Sequence, residues 1–85
     1  MNKYMNKNML KELFDTKIAY LKARENTYEK VDLRKEYFKL LDRMSEKYGN
    51  DIDIFDELIS IACFNGKTFE QTLNAYKALG GDINV

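Results

Sequence analysis

Lys35, Lys39, Arg43 and Lys47 recur at every fourth position. On an α-helix that spacing lays the four cations along one slanting ridge. Like charges placed four apart repel, by about 0.2–0.5 kcal/mol per pair, so something should offset them. One answer is local: Glu36, Asp42 and Glu46 are interleaved, and pairs such as Lys39–Asp42 and Arg43–Glu46 fall within reach. The other is an anionic partner, either nucleic acid or the acidic face of a protein. Lys3, Lys7, Lys11 and Lys22 would extend such a patch. Near the ridge, Phe38 stands off the apolar seam of its own helix, and Tyr28, Val31 and Tyr4 have no clear core position. Together they offer an apolar patch for a partner or for a second copy of the chain. The candidate binding residues are therefore Lys35, Lys39, Arg43, Lys47, Tyr28 and Phe38. Four of the six tyrosines lie within residues 1–37 and would supply stacking surfaces for single-stranded RNA.

Catalytic chemistry has little to work with. The chain has no histidine, so the commonest general base is missing. Cys63 is the single cysteine; without a histidine beside it, and expected to be buried, it is a poor nucleophile. Gly66-Lys67-Thr68 imitates the end of a phosphate-binding loop. The full pattern needs a glycine five positions earlier, where Ile61 stands, and a strand in front, where a helix is expected. Asp51, Asp53, Asp56 and Glu57 form an acidic cluster, but it lacks the turn glycine and the distant glutamate of a calcium loop. These acids read as helix-capping and dipole residues, and no metal or cofactor is expected.

The segments 54–64 and 69–79, joined by Asn65-Gly66-Lys67, have the outline of a helix-turn-helix. Its second helix would offer Glu70, Gln71, Asn74 and Lys77, with one positive charge among them. Phosphate attraction dominates DNA affinity, so sequence reading of DNA is disfavoured and RNA is the better nucleic-acid candidate.

The elements that position these residues read as helices. Apolar residues make up 45% of the 85 and charged ones 33%, with no proline and four glycines, which is globular and helix-favouring composition. Leu10, Leu13, Phe14, Ile18 and Leu21 fall at helical spacing over about 9–25, interrupted by Lys17, whose stem should lie on the core edge with its ammonium in water. Asn6 or Asn8 can cap this helix. Periodicity lapses from Ala23 to Thr27, which predicts a break before a second helix over 28–48, capped by Thr27 or Asp32. Its seam is Leu33, Tyr37, Leu40 and Met44, and Gly49 closes it. A third helix over 53–64, capped by Asp51 or Asp53, carries the most apolar run: Ile54, Phe55, Leu58, Ile59, Ile61 and Ala62 cover more than half its circumference. Such a helix should lie at the centre, covered on several sides. Thr68 to Gln71 is a capping box for a fourth helix over 69–79, presenting Phe69, Leu73, Tyr76 and Leu79. Gly80-Gly81 ends it, with Ile83 as the apolar contact of that cap.

The expectation is one small all-α domain of four helices over 9–85, behind a flexible lead-in at 1–8. A domain this small has a thin stability margin, and a homodimer would add burial. Net charge is zero, but residues 1–48 hold 12 Lys/Arg against 8 Asp/Glu, or +4, and residues 49–85 hold 2 against 6, or −4. The single cysteine suits a reducing cytoplasm. The first ten residues do not read as a signal peptide, and no stretch approaches the roughly 20 apolar residues of a membrane span. The Asn/Lys/Ile/Tyr bias suggests an AT-rich coding sequence, as in small proteins of phages and other mobile elements. The sequence is read as a small intracellular binding protein, an adaptor or inhibitor that occludes a protein partner, with RNA or DNA binding through the basic N-terminal half as the alternative and catalysis as the least favoured class.

Overall fold

The computed structural model describes residues 5–81, 83 and 84. The fold is all-α, with four helices: α1 (Lys7–Lys22), α2 (Tyr28–Tyr48), α3 (Asn50–Asn65) and α4 (Phe69–Ala78). Two short strands, β1 (Met5–Asn6) and β2 (Ile83–Asn84), pair in parallel. Met5 stands opposite Ile83 and Asn6 opposite Asn84, so the segment before α1 is tied to the one after α4. Ile83 thus serves a backbone bridge. Tyr4 lies outside the described residues.

Local chemistry sets the helix ends. The Asn6 side chain accepts from the Asn8 and Met9 amides, which fixes the start of α1. Ala23 is extended and Asn26 adopts φ 61°, a left-handed conformation that asparagine tolerates better than most residues. The chain therefore turns between α1 and α2. Thr27 caps the new helix by accepting from the Lys30 amide, while its hydroxyl donates back to the Arg24 carbonyl. Gly49, at φ 66°, both closes α2 and opens α3. One residue suffices to reverse the chain, so α3 begins at Asn50 and neither Asp51 nor Asp53 caps it. Both acids sit in its first turn, where the helix dipole favours them. Gly66 ends α3 in the left-handed conformation, with the Lys67 amide donating to the Ala62 carbonyl. The capping box is formed in full: the Thr68 side chain accepts from the Gln71 amide and the Gln71 side chain accepts from the Thr68 amide.

Helices α1, α2 and α3 pack on one another, and α4 lies against α3. The Phe69 ring of α4 also reaches Phe14 of α1, 5.5 Å between centroids. The core takes Leu10, Leu13 and Phe14 from α1, Tyr37, Leu40 and Met44 from α2, Ile52, Phe55, Ile59 and Ala62 from α3, and Phe69, Leu73 and Tyr76 from α4. Phe55 and Tyr76 meet edge to face at 5.6 Å, a favourable arrangement for ring quadrupoles. Leu79, expected on this stripe, falls beyond the last turn of α4 and is exposed.

Two sequence expectations are corrected here. Helix α3 packs on all three of the others, yet it is buried along one stripe only: Ile52, Phe55, Ile59 and Ala62. Ile54 is 43% exposed, Ile61 51% and Phe64 92%. With extents of 40 × 27 × 18 Å, the domain is about two helices thick, too thin to wrap a rod on several sides. The second correction is Lys17, which does not reach water. It is 6% exposed, and its ammonium donates to the Asp56 carboxylate at 2.7 Å and to the Asp56 carbonyl at 3.0 Å. The Tyr37 hydroxyl donates to the same carboxylate, and the Lys17 ammonium lies 5.4 Å from the Tyr37 ring centroid. Because α3 starts at Asn50, Asp56 lies in its second turn rather than its first, facing the other helices.

Candidate functional site

The outer face of α2 collects most of the candidate residues. The helix is 21 residues long and turns Tyr37, Leu40 and Met44 inward. Lys35, Lys39, Arg43 and Lys47 all lie on the exposed side. Tyr28 is 90% exposed, and Val31 and Phe38 also stand out from the surface. The turn at residues 23–27 does not cover them.

Phe38 is held from two sides. Its ring meets the buried Tyr37 ring edge-on at 5.6 Å, and the Arg34 guanidinium lies 5.4 Å from its centroid. A cation over an aromatic face is attracted by the ring quadrupole, and Tyr37 is itself fixed by Asp56. The exposed ring is thus supported by the buried Lys17–Asp56–Tyr37 cluster behind it. Arg34 was not singled out in the sequence; its position four residues before Phe38, one helical turn away, was the available signal.

Around Phe38 lies an open concavity bordered by Val31, Asp32, Arg34, Lys35, Glu36, Phe38, Lys39 and Asp42. All eight residues come from one helix, so it has a single wall. A small-molecule site buries most of its ligand between several walls; a one-walled face suits the flat or grooved surface of a macromolecule. The structure therefore brings Lys35, Lys39, Val31 and Phe38 together. Arg43 and Lys47 continue the ridge beyond the concavity, and Tyr28 lies at the N-terminal end of the helix.

None of the four ridge cations is ion-paired among the described residues. The ion pairs there are Lys7–Glu70 at 3.5 Å, Lys11–Asp15 at 2.9 Å, Lys17–Asp56 at 2.7 Å, and Lys30–Glu25. The local pairs Lys39–Asp42 and Arg43–Glu46 are not formed. Lys47 instead places its ammonium 5.4 Å from the Tyr48 ring centroid.

The tyrosines are largely committed elsewhere. Tyr37 and Tyr76 are buried, and Tyr20 packs on Tyr37 at 5.7 Å between centroids. Of the tyrosines within residues 1–37 that are described, Tyr28 alone is exposed as a stacking surface. The helix-turn-helix outline fares similarly: Gln71 is spent on the capping box and Glu70 pairs with Lys7. Cys63 is half-buried rather than buried, between α1 and the end of α3. No helix among the described residues is long and apolar enough to cross a membrane. No family model, curated protein or solved structure matches the chain.

Proposed function

We propose that this chain is a non-enzymatic binding protein, an adaptor or inhibitor that lays the outer face of α2 on a protein partner and occludes the surface it covers. The observation that carries this reading is the state of that face: Tyr28, Val31 and Phe38 are exposed while Lys35, Lys39 and Arg43 hold no carboxylate among the described residues. Exposed aromatic side chains with arginine beside them are the usual anchors of protein interfaces. The partner surface that fits has an apolar centre and acidic groups at its rim.

Nucleic acid is the second reading, favoured by the same unpaired cations. Against it stand Asp32, Glu36, Asp42 and Glu46, all exposed on the same helix, which would repel phosphates. Affinity capture from lysate with the tagged full chain, compared with Phe38→Ser, tests the first reading. A stoichiometric protein retained by the parent and lost by Phe38→Ser supports it; the same protein retained equally by both rejects it. An RNA gel shift at low salt that collapses as salt rises would favour the second reading.

A further inference from the structure

The groove between α1 and the end of α3 is built unlike the concavity on α2, because it has two walls. Phe14, Ile18 and Lys22 stand at every fourth position of α1 and form one of them. Ala62 and Cys63 form the other, with Gly66 and Lys67 one turn further on. The floor is apolar: Phe14 and Ala62 are buried, and Ile18 and Cys63 half-buried. Gly66 leaves the mouth open, since a β-carbon there would meet nothing within 4 Å. Lys22 and Lys67 are both exposed, and no carboxylate borders the groove among the described residues. The acid nearest each lysine in sequence is engaged elsewhere. Glu25 pairs with Lys30, and Glu70 with Lys7. Neither Lys22 nor Lys67 is ion-paired among the described residues.

We infer that this groove binds a small aliphatic carboxylate, its head between the two ammoniums and its unbranched tail on Phe14, Ile18, Ala62 and Cys63. The lysines select an anion and the floor selects a tail. A bare phosphate is not the fitting ligand, because the turn has no cradle of free amides for it. The Gly66 and Lys67 amides both donate to the Ala62 carbonyl, and the Thr68 amide donates to the Gln71 side chain. The groove holds about 210 Å³. That is the volume of about seven water molecules, which an acid of about six carbons fills. Drug-sized sites run to roughly 300–1,000 Å³, so the ligand is smaller and its dissociation constant is on the order of 1 mM. The inference uses no residue of α2, so it stands or falls apart from the function proposed above.

Hexanoate is the probe, titrated at neutral pH and constant ionic strength into the isotope-labelled full chain and followed by amide NMR shifts. Saturable shifts should centre on residues 14–22 and 62–67. Butanoate should bind about fivefold more weakly or worse, because each methylene taken from the floor is worth roughly two- to fourfold. Hexylammonium has the same tail and the opposite charge, and should bind at least about tenfold more weakly. Lys22→Gln with Lys67→Gln should weaken hexanoate about five- to tenfold and leave hexanol unaffected. Both lysines are exposed, so helix content by circular dichroism should match the parent. Hexanoate should also slow alkylation of Cys63 by iodoacetamide, because the tail covers the thiol. Hexylammonium matching hexanoate overturns the inference, as does a double variant that binds hexanoate like the parent. So does a lack of saturation by about 50 mM, a set of shifts centred on α2, or acetate binding as tightly as hexanoate. A foreign protein captured by the parent and lost by the double variant, with no hexanoate bound, would give the lysines to an acidic protein surface and likewise overturn it.

Discussion

Lys17 of α1 ends on Asp56 of α3, its ammonium 2.7 Å from the carboxylate and 3.0 Å from the carbonyl of the same residue. With Tyr37 of α2 donating to that carboxylate, one acid links α1, α2 and α3. The two charges are unequally buried: the Lys17 side chain is 8% exposed and that of Asp56 27%. Removing one partner of a buried pair costs about 3–5 kcal/mol, chiefly because the other is stranded. Asp56→Ala strands the more buried ammonium and should cost at the upper part of that range. Lys17→Met keeps the stem, and leaves a carboxylate that retains Tyr37 and reaches water, so it should cost less. Urea denaturation of both variants checks the order. Equal losses would mean that the burial difference does not govern the pair.

Helix α3 supplies a sharper contrast within three residues. Ile59 is fully buried and Ile61 is 51% exposed. Truncating a buried isoleucine to alanine costs about 2–5 kcal/mol through lost transfer energy and the cavity left behind, a large part of the roughly 5–15 kcal/mol that holds a small domain together. Ile59→Ala should therefore lose much of the unfolding midpoint. Ile61→Ala should stay within about 1 kcal/mol of the parent, because alanine's better helix propensity offsets the modest loss of contact. A comparable loss in both variants would restore the expectation that α3 is covered on several sides.

Much of the fold was legible because it rests on local chemistry. The break between Ala23 and Thr27, the Thr27 cap, the Gly49 helix stop and the Thr68–Gln71 box depend on residues within a turn of one another. The stripe Tyr37–Leu40–Met44 likewise follows from spacing within one helix. What was not legible depends on distance in space. Lys17 and Asp56 lie 39 residues apart, and each has a sound local explanation, a surface lysine and a first-turn acid, that conceals their pairing. The apolar surplus of α3 misled for a related reason. Periodicity reports that Ile54 and Ile61 are apolar, but it does not report how many neighbours the chain has left to cover them. On α2 the spacing did place Phe38 and the cations on the outside, since a helix with one clear buried seam leaves no other side for them.

The capping box should be worth a measurable amount by itself. Thr68 and Gln71 satisfy each other's amides at 3.2 and 2.9 Å, and α4 is ten residues long. A helix that short has little stability without its ends and its packing. Thr68→Ala should cost about 1 kcal/mol. Amide hydrogen exchange should accelerate first in α4, with α1 and α2 following only as far as global stability falls. Uniform acceleration across all four helices would show that α4 does not open on its own.

The outer face of α2 allows stability and binding to be separated. Phe38 is 41% exposed, and its ring meets Tyr37 and Arg34. Phe38→Ser should lower stability by no more than about 1 kcal/mol, the size of a lost ring-edge contact and part of an apolar surface. Lys39→Glu with Arg43→Glu removes two of four like charges on one ridge, so it should leave the fold unharmed or slightly steadier. If the face takes an acidic, partly apolar protein surface, both variants should lose the partner for different reasons. The charge reversal should act mostly on the association rate and fade as salt rises, because rim charges steer encounter. Phe38→Ser should act on dissociation and persist in high salt, because anchors buried at an interface hold the complex once formed. Surface plasmon resonance at two ionic strengths, with the captured partner immobilised, reads both rates. A charge reversal that changed neither rate at low salt would remove the ridge from the interface and leave Phe38 and its neighbours to carry it.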